Sequence, residues 1–296
     1  MIDRACVSLS DACNLRCRYC HFQDKQVGYS RFSERQLSTI IENIHRYCAN
    51  AQIQKFKLGI VGAGEPMLNY EELLYIVDYV KSKKYTEINM YTITNGTLLT
   101  EKKLKKLFEY RDILKICFSL DGDEKIHNLG RQNFTKVMET IEIYKEIFGA
   151  PPCINATVNK QSYIDKENVI RFFLDNGLKE VTFSILVGCE DDMLVISEEE
   201  YKEFMEYVRE SGISSRQFRT EKVYDCTMYG NLCGVGRTNV FITPEGIFPC
   251  GRFYKNKAYY LGGADIAFDR LEEVIEKFIP VSDGNCYYKE KVECEK

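Results

Sequence analysis

The stretch CNLRCRYC, residues 13–20, places Cys13, Cys17 and Cys20 at spacings of three and then two intervening residues. Three thiols so spaced can ligate three corners of an iron–sulfur cube, and no fourth ligand stands in the loop. One iron then keeps an open coordination position, where a small molecule can be chelated and receive an electron. A structural zinc ion fits less well, because it takes four ligands and the loop offers three.

Outward from this loop the chain alternates short β-rich runs with segments of helical period. The runs read as strands over 5–10, 55–61, 87–93, 113–119, 153–158 and 180–187, and the helices as 34–48, 70–83, 100–108, 135–147, 165–176 and 198–210. Ser33, Asn69, Thr100 and Ser197, each followed by glutamates, are the expected helix caps. Repeated βα units imply an α/β fold on a parallel sheet. Six units fall two short of the common eight-fold closure, so the expected architecture is a partial (β/α)6 barrel. A doubly wound sheet is the alternative that periodicity leaves open.

After about residue 212 the texture turns polar and cysteine-rich. A hairpin is expected over 240–249 around Pro244-Glu245-Gly246, and an amphipathic helix over 269–278. So little periodicity in about eighty residues calls for a staple such as a metal cluster. The expected division is therefore a barrel over 1–211 and a small cysteine-rich iron–sulfur domain over 212–296.

Composition narrows the function classes. The chain has 296 residues, 45% of them apolar, enough for a sizeable core. A formal charge of -4 supplies no basic field for nucleic acid or an anionic membrane surface. No apolar run reaches membrane-spanning length and MIDRACVSLS lacks signal-peptide order, so the expected compartment is the cytoplasm. Thirteen cysteines without a secretory signal point away from disulfides and towards metal or catalysis. Cys6, Cys48, Cys117 and Cys153 read as small hydrophobes, and only Cys189, beyond a strand end, is placed to face a site. His21, His45 and His127 are the three histidines, too few to make histidine catalysis the theme.

In barrel-like folds function gathers at the carboxyl ends of strands. There this chain collects Gly62, Ala63, Gly64, Glu65 and Pro66; Thr94, Asn95 and Gly96; Ser119, Asp121 and Gly122; and Asn155, Thr157 and Asn159. Asp121 reads equally well as an Asx-type turn with Gly122.

The cysteine loop, with Tyr19 immediately before its last thiol, resembles the CxxxCxxC signature of radical S-adenosylmethionine (SAM) enzymes. Gly62 to Pro66 resembles their glycine-rich GGEP motif. The resemblance implies that Cys13, Cys17 and Cys20 hold a 4Fe–4S cluster whose open iron binds SAM, and that one-electron cleavage yields a 5′-deoxyadenosyl radical. It further implies that backbone at Gly62, Ala63, Gly64 and Glu65 meets the methionine ammonium and that Tyr19 packs near the adenine. Asn95 and Ser119 would face the ribose and carboxylate, and Arg131 would lie near the carboxylate.

The late cysteines resemble the SPASM or shorter twitch extension of radical enzymes that act on peptides and proteins. That likeness implies one auxiliary 4Fe–4S cluster, held by Cys226, Cys233, Cys250 and either Cys286 or Cys294. It also implies a peptide or protein substrate and an electron donor such as a flavodoxin or ferredoxin, with no nucleic-acid or membrane partner. In sulfatase maturases an aspartate base follows the auxiliary-domain cysteine, whereas here Cys250 precedes Gly251, which accepts no proton. The favoured expectation is thus maturation of a ribosomal peptide by a thioether, a carbon–carbon crosslink or an epimerised centre. The chain begins directly at its first strand, so leader recognition is expected to use another surface or another protein. Formylglycine formation remains an alternative, as does a twitch-type cyclase acting on a nucleotide, for which Arg216, Arg219, Arg237 and Arg252 are too dispersed to assign. A non-enzymatic zinc-binding module is the alternative from another class.

Overall fold

Local signals decide where the elements fall, and the sheet order decides between the two architectures. The computed structural model describes residues 1–20, 22, 30–83, 86–187, 189, 191–254, 256–279 and 283–292. Its first part runs β1 (Arg4–Val7), α1 (Glu34–Asn50), β2 (Lys55–Ile60), α2 (Tyr70–Ser82), β3 (Glu87–Thr94), α3 (Glu101–Phe108) and β4 (Leu114–Ser119). Then come α4 (Glu124–Gly130), α5 (Phe134–Phe148), β5 (Cys153–Val158), α6 (Lys160–Ile164), α7 (Lys166–Asp175), β6 (Val181–Ile185) and α8 (Glu198–Glu210). The second part holds β7 (Tyr224–Asp225), β8 (Leu232–Cys233), β9 (Asn239–Thr243), β10 (Gly246–Phe248), α9 (Phe268–Ile275) and α10 (Tyr287–Val292).

Strands β1 to β6 lie in the sheet in chain order, every pair parallel. A doubly wound sheet needs a reversal of strand order at its switch point, and there is none here. The fold is the partial barrel, with helices packed outside it. The β9–β10 hairpin adds itself to the same sheet: β9 pairs parallel with β1, with Val240 opposite Ala5, and β10 turns back antiparallel. This joining was not foreseen from the sequence, because it pairs segments more than two hundred residues apart.

Ser33 and Ser197 cap α1 and α8 as capping boxes, and Thr100 caps α3. Asn69 does not cap α2. Its side chain instead donates to Ser10 Oγ at 2.7 Å, in the run entering the cysteine loop. The C-terminal α9 is fastened to the barrel by Phe268, which is fully buried between Tyr47 and Phe56 at ring distances of 5.9 and 6.3 Å.

One expectation fails outright. Cys117 and Cys153 are not separate small hydrophobes but a disulfide between β4 and β5. They face each other in register across parallel strands, a pairing that exists only once the sheet has formed.

Candidate functional site: the cysteine loop and the cavity behind it

The cysteine loop is held from three sides. From β2, Glu65 N donates to Ala12 O at 2.8 Å and Ala63 N to Ser8 Oγ at 3.1 Å. The glycines here permit close approach of chain to chain: a Cβ on Gly62 would lie 2.3 Å from Ser8 Cβ, and one on Gly64 2.2 Å from Ala12 O. From β3, Asn95 Nδ2 donates to Asn14 Oδ1 at 2.9 Å, and Asn14 Nδ2 in turn to Thr97 Oγ1 at 2.8 Å. From α4, Gly130 O accepts from Arg18 N at 2.8 Å.

Glu65 is buried and explains itself as a bracket. Its carboxylate accepts from Met67 N at 3.0 Å, Thr94 Oγ1 at 2.6 Å and Asn95 N at 2.8 Å. Burial pushes it above the usual carboxylate range while those three donors pull it back. Ser119 ends β4, buried, opposite Asn155.

Cys20 N donates to Cys17 O at 3.0 Å, closing a tight turn around Tyr19. The thiols are near enough to feel one another. Burial pushes Cys17 up to about 11, with Cys13 and Cys20 adding to the rise and Arg131 opposing it. The loop also packs on the end of β6, where Cys17 and Cys189 flank Tyr19, Leu186 and Leu194. Cys189 thus stands beside the loop, as its position suggested.

Asp121 is the residue that sequence reasoning undervalued. It is fully buried and accepts from Tyr19 OH, from Arg131 Nε at 3.1 Å and from Thr157 N at 2.8 Å. Arg131 Nη2 reaches Thr157 Oγ1 at 3.3 Å, and its guanidinium stacks 5.3 Å from the Tyr19 ring centre. Beneath them, buried His127 meets Gln132 O at 3.0 Å through Nε2 and Asp121 N at 3.4 Å through Nδ1. Burial lowers the His127 pKa, so the neutral tautomer with Nε2–H fits both contacts. The cue in the sequence was that an aspartate and an arginine ten residues apart flank a helix able to bring them together.

Behind the loop lies a cavity of about 680 Å³. Its barrel wall includes Cys6, Tyr91 and Val187, and its far wall carries Cys226, Cys233, Cys250 and Cys286 together. Cys6 was expected to be plain packing; it lines the cavity, its sulfur 3.4 Å from Tyr91 OH. Cys294 lies outside the described residues, as does His21. Burial pushes Cys250 up to about 11 and raises Cys226 and Cys233, and charges on neighbouring cysteines add to each. Next to Cys226, Asp225 is paired with Lys57 at 2.6 Å and Arg4 at 3.0 Å. Gly251 lines the cavity with the Phe241 ring 3.1 Å from where its Cβ would be. Among the described residues no three His, Cys, Asp or Glu side chains close on a single-ion site. The four thiols line one wall of the cavity, an all-sulfur donor set of the kind that takes a soft metal centre, an iron–sulfur cluster or zinc alike.

Three half-buried thiols at the rim of a partial barrel, with a glycine-rich bracket after the second strand, define the class. The Radical SAM superfamily model matches residues 7–172, more than half of the chain, and the chain belongs to that superfamily of enzymes. Membership brings with it a 4Fe–4S cluster and SAM. Among curated relatives, the GTP 3′,8-cyclase of Clostridium acetobutylicum is 33% identical over 197 residues, 66% of this chain and 54% of the relative. The cysteine-type anaerobic sulfatase-maturating enzyme of Clostridium novyi is 28% identical over 187 residues, 59% of this chain and 48% of the relative. The chain thus spans only about half the length of these relatives. Among solved structures, anSMEcpe with bound AdoMet shares the fold at TM-score 0.76 and 18% identity, over 93% of this chain and 83% of that one. The same protein with AdoMet and the Cp18Cys peptide matches at TM-score 0.75 and 19% identity, over 99% and 85%. Streptococcus suis SuiB bound to its precursor peptide SuiA matches at TM-score 0.68 and 15% identity, over 95% and 68%.

Proposed function

We propose that this chain modifies a peptide or protein, most specifically a ribosomally made peptide that acquires a thioether, a carbon–carbon crosslink or an epimerised centre. The observation that carries the reading is the single cavity shared by the barrel interior and the four late cysteines. It is spacious enough for a side chain and its neighbouring backbone. The likeness in fold to anSMEcpe and SuiB, whose structures contain peptides, supports the same reading.

In this reading Cys13, Cys17 and Cys20 hold the SAM-binding cluster, and Cys226, Cys233, Cys250 and Cys286 hold one auxiliary cluster. When bound, the first cluster and SAM supply the 5′-deoxyadenosyl radical that takes a hydrogen atom from the substrate. Gly62 to Glu65, Asn95, Ser119 and Arg131 line the SAM side, and Tyr19 fixes the loop between its thiols. Tyr91, Val187 and Arg252 line the substrate side. A flavodoxin or ferredoxin supplies the electron, and the setting is cytoplasmic; among the described residues no helix is long and apolar enough to cross a membrane.

Two observations weigh against the alternatives. Formylglycine chemistry of the aspartate-assisted kind needs a carboxylate where this chain has Gly251, and a side chain there would need the Phe241 ring to give by a few tenths of an ångström. A triphosphate-binding cyclase needs converging cations. Arg216 and Arg237 lie off the cavity wall, stacked on Tyr229 at 4.3 Å and paired with Asp283 at 2.9 Å, and of the cations on that wall Arg4 and Lys57 are neutralised by Asp225 and Lys289 by Glu198, with Arg252 and Lys202 beside them.

The test is coexpression with any short open reading frame that neighbours the gene, followed by anaerobic isolation and weighing of the peptide. A mass change of a few daltons, or an epimer resolved after hydrolysis, is expected. A peptide unchanged in mass and stereochemistry would contradict the proposal.

A further inference from the structure

The Asp121 network lies outside the cysteines and yet grips the residue between two of them. Its carboxylate is completely buried, and the guanidinium of Arg131 beside it is 15% exposed. A buried charge pair persists only where its geometry and remaining hydrogen bonds are satisfied. Here every acceptor direction of Asp121 is in use: Tyr19 from the loop, Arg131 from the end of α4, and the Thr157 amide from β5.

The surroundings are shaped to the same end. Gly130 has no left-handed requirement. It is glycine because a Cβ there would lie 2.3 Å from Tyr19 Cε1. Immediately after Arg131, two non-glycine residues in succession adopt left-handed backbone, Gln132 at φ 82° and Asn133 at φ 63°. Such conformations persist where the surroundings over-determine them, and they cluster where a side chain must be aimed. What they aim is Arg131, onto Asp121 and over the Tyr19 ring.

We infer that Asp121 is a positioning residue for the SAM-binding cluster. It locks Tyr19 to Arg131 and to β5, and so fixes the Cys17–Cys20 limb of the loop and the place of the Arg131 charge beside Cys17. This rests on the reading that the triad holds that cluster. SAM affinity is therefore coupled through one link made jointly by Tyr19 and Asp121.

The test uses the full chain, reconstituted anaerobically, as the parent, Tyr19→Phe, Asp121→Asn and the double variant. Iron per chain is counted, and SAM affinity is read from the change SAM causes in the electron paramagnetic resonance spectrum of the reduced protein. Each single variant should keep its iron and bind SAM about tenfold more weakly, as when a residue supporting a metal ligand is lost. The double variant should bind no more weakly than the poorer single, because both break the same link. Val137→Ala, on the buried face of α5, should lower thermal stability without moving SAM affinity. If Asp121→Asn does not fold, Tyr19→Phe, which removes the hydroxyl end of the same link, carries the test alone with the same iron and affinity readouts. Affinities within twofold of the parent with iron intact, or losses that multiply in the double variant, overturn the inference. A parent that takes up no iron on the triad, or whose spectrum SAM does not alter, sinks the underlying reading instead.

Discussion

At the scale of single residues, the cysteines divide by task. Replacement of Cys13, Cys17 or Cys20 by alanine should abolish release of 5′-deoxyadenosine, since each removes a ligand from the cluster that binds SAM. Cys250→Ala should leave that release measurable by chromatography while product formation is lost; equal loss of both would remove the division. His127 gives a prediction in pH. Burial holds its folded pKa below the ordinary value, whereas the unfolded imidazole takes up a proton near about pH 6.5. The unfolded chain then binds the extra proton in that window, so the contribution of neutral His127 is present above it and lost as pH falls. Denaturation midpoints should show His127→Asn with a smaller loss of stability than the parent between about pH 7.5 and pH 5.5. An identical loss in both would contradict the assignment.

At the scale of elements, the βα periodicity was enough to place all six barrel strands and their main helices, since apolar spacing and Ser or Thr caps are local properties. What the sequence could not carry was non-local. The joining of β9 to β1, the Cys117–Cys153 register and the meeting of Asp121 with Tyr19 each depend on segments brought together by the sheet. Asn69 shows the same limit from the other side: it has the residue type of a cap but spends its side chain on Ser10. The glycine-rich segment was legible as a feature of the rim, and its glycines make room for the cysteine loop. Gly64→Ala should therefore push on Ala12 and cost about 1–3 kcal/mol, as overpacking does. It should also lower iron on the triad, and a variant with parental stability and iron content would refute that reading. Phe268→Ala should cost about 3–5 kcal/mol, measured by chemical denaturation, because it empties the joint between α9 and the barrel.

At the scale of the whole molecule, a cysteine triad stands at the rim of a partial barrel, and four further thiols line a cavity whose other wall is the barrel sheet. The rim chemistry belongs to the superfamily, and specificity is placed in the cavity and its thiols. The central claim is that the chain carries two clusters with separate ligand sets. It is tested most directly by counting iron and acid-labile sulfide after anaerobic reconstitution, in the parent and in a variant with Cys226, Cys250 and Cys286 all replaced by alanine. The account predicts about eight irons and eight sulfides per chain in the parent, and about four of each in the variant with 5′-deoxyadenosine still formed. A parent with about four irons, or with zinc and no sulfide, would contradict it.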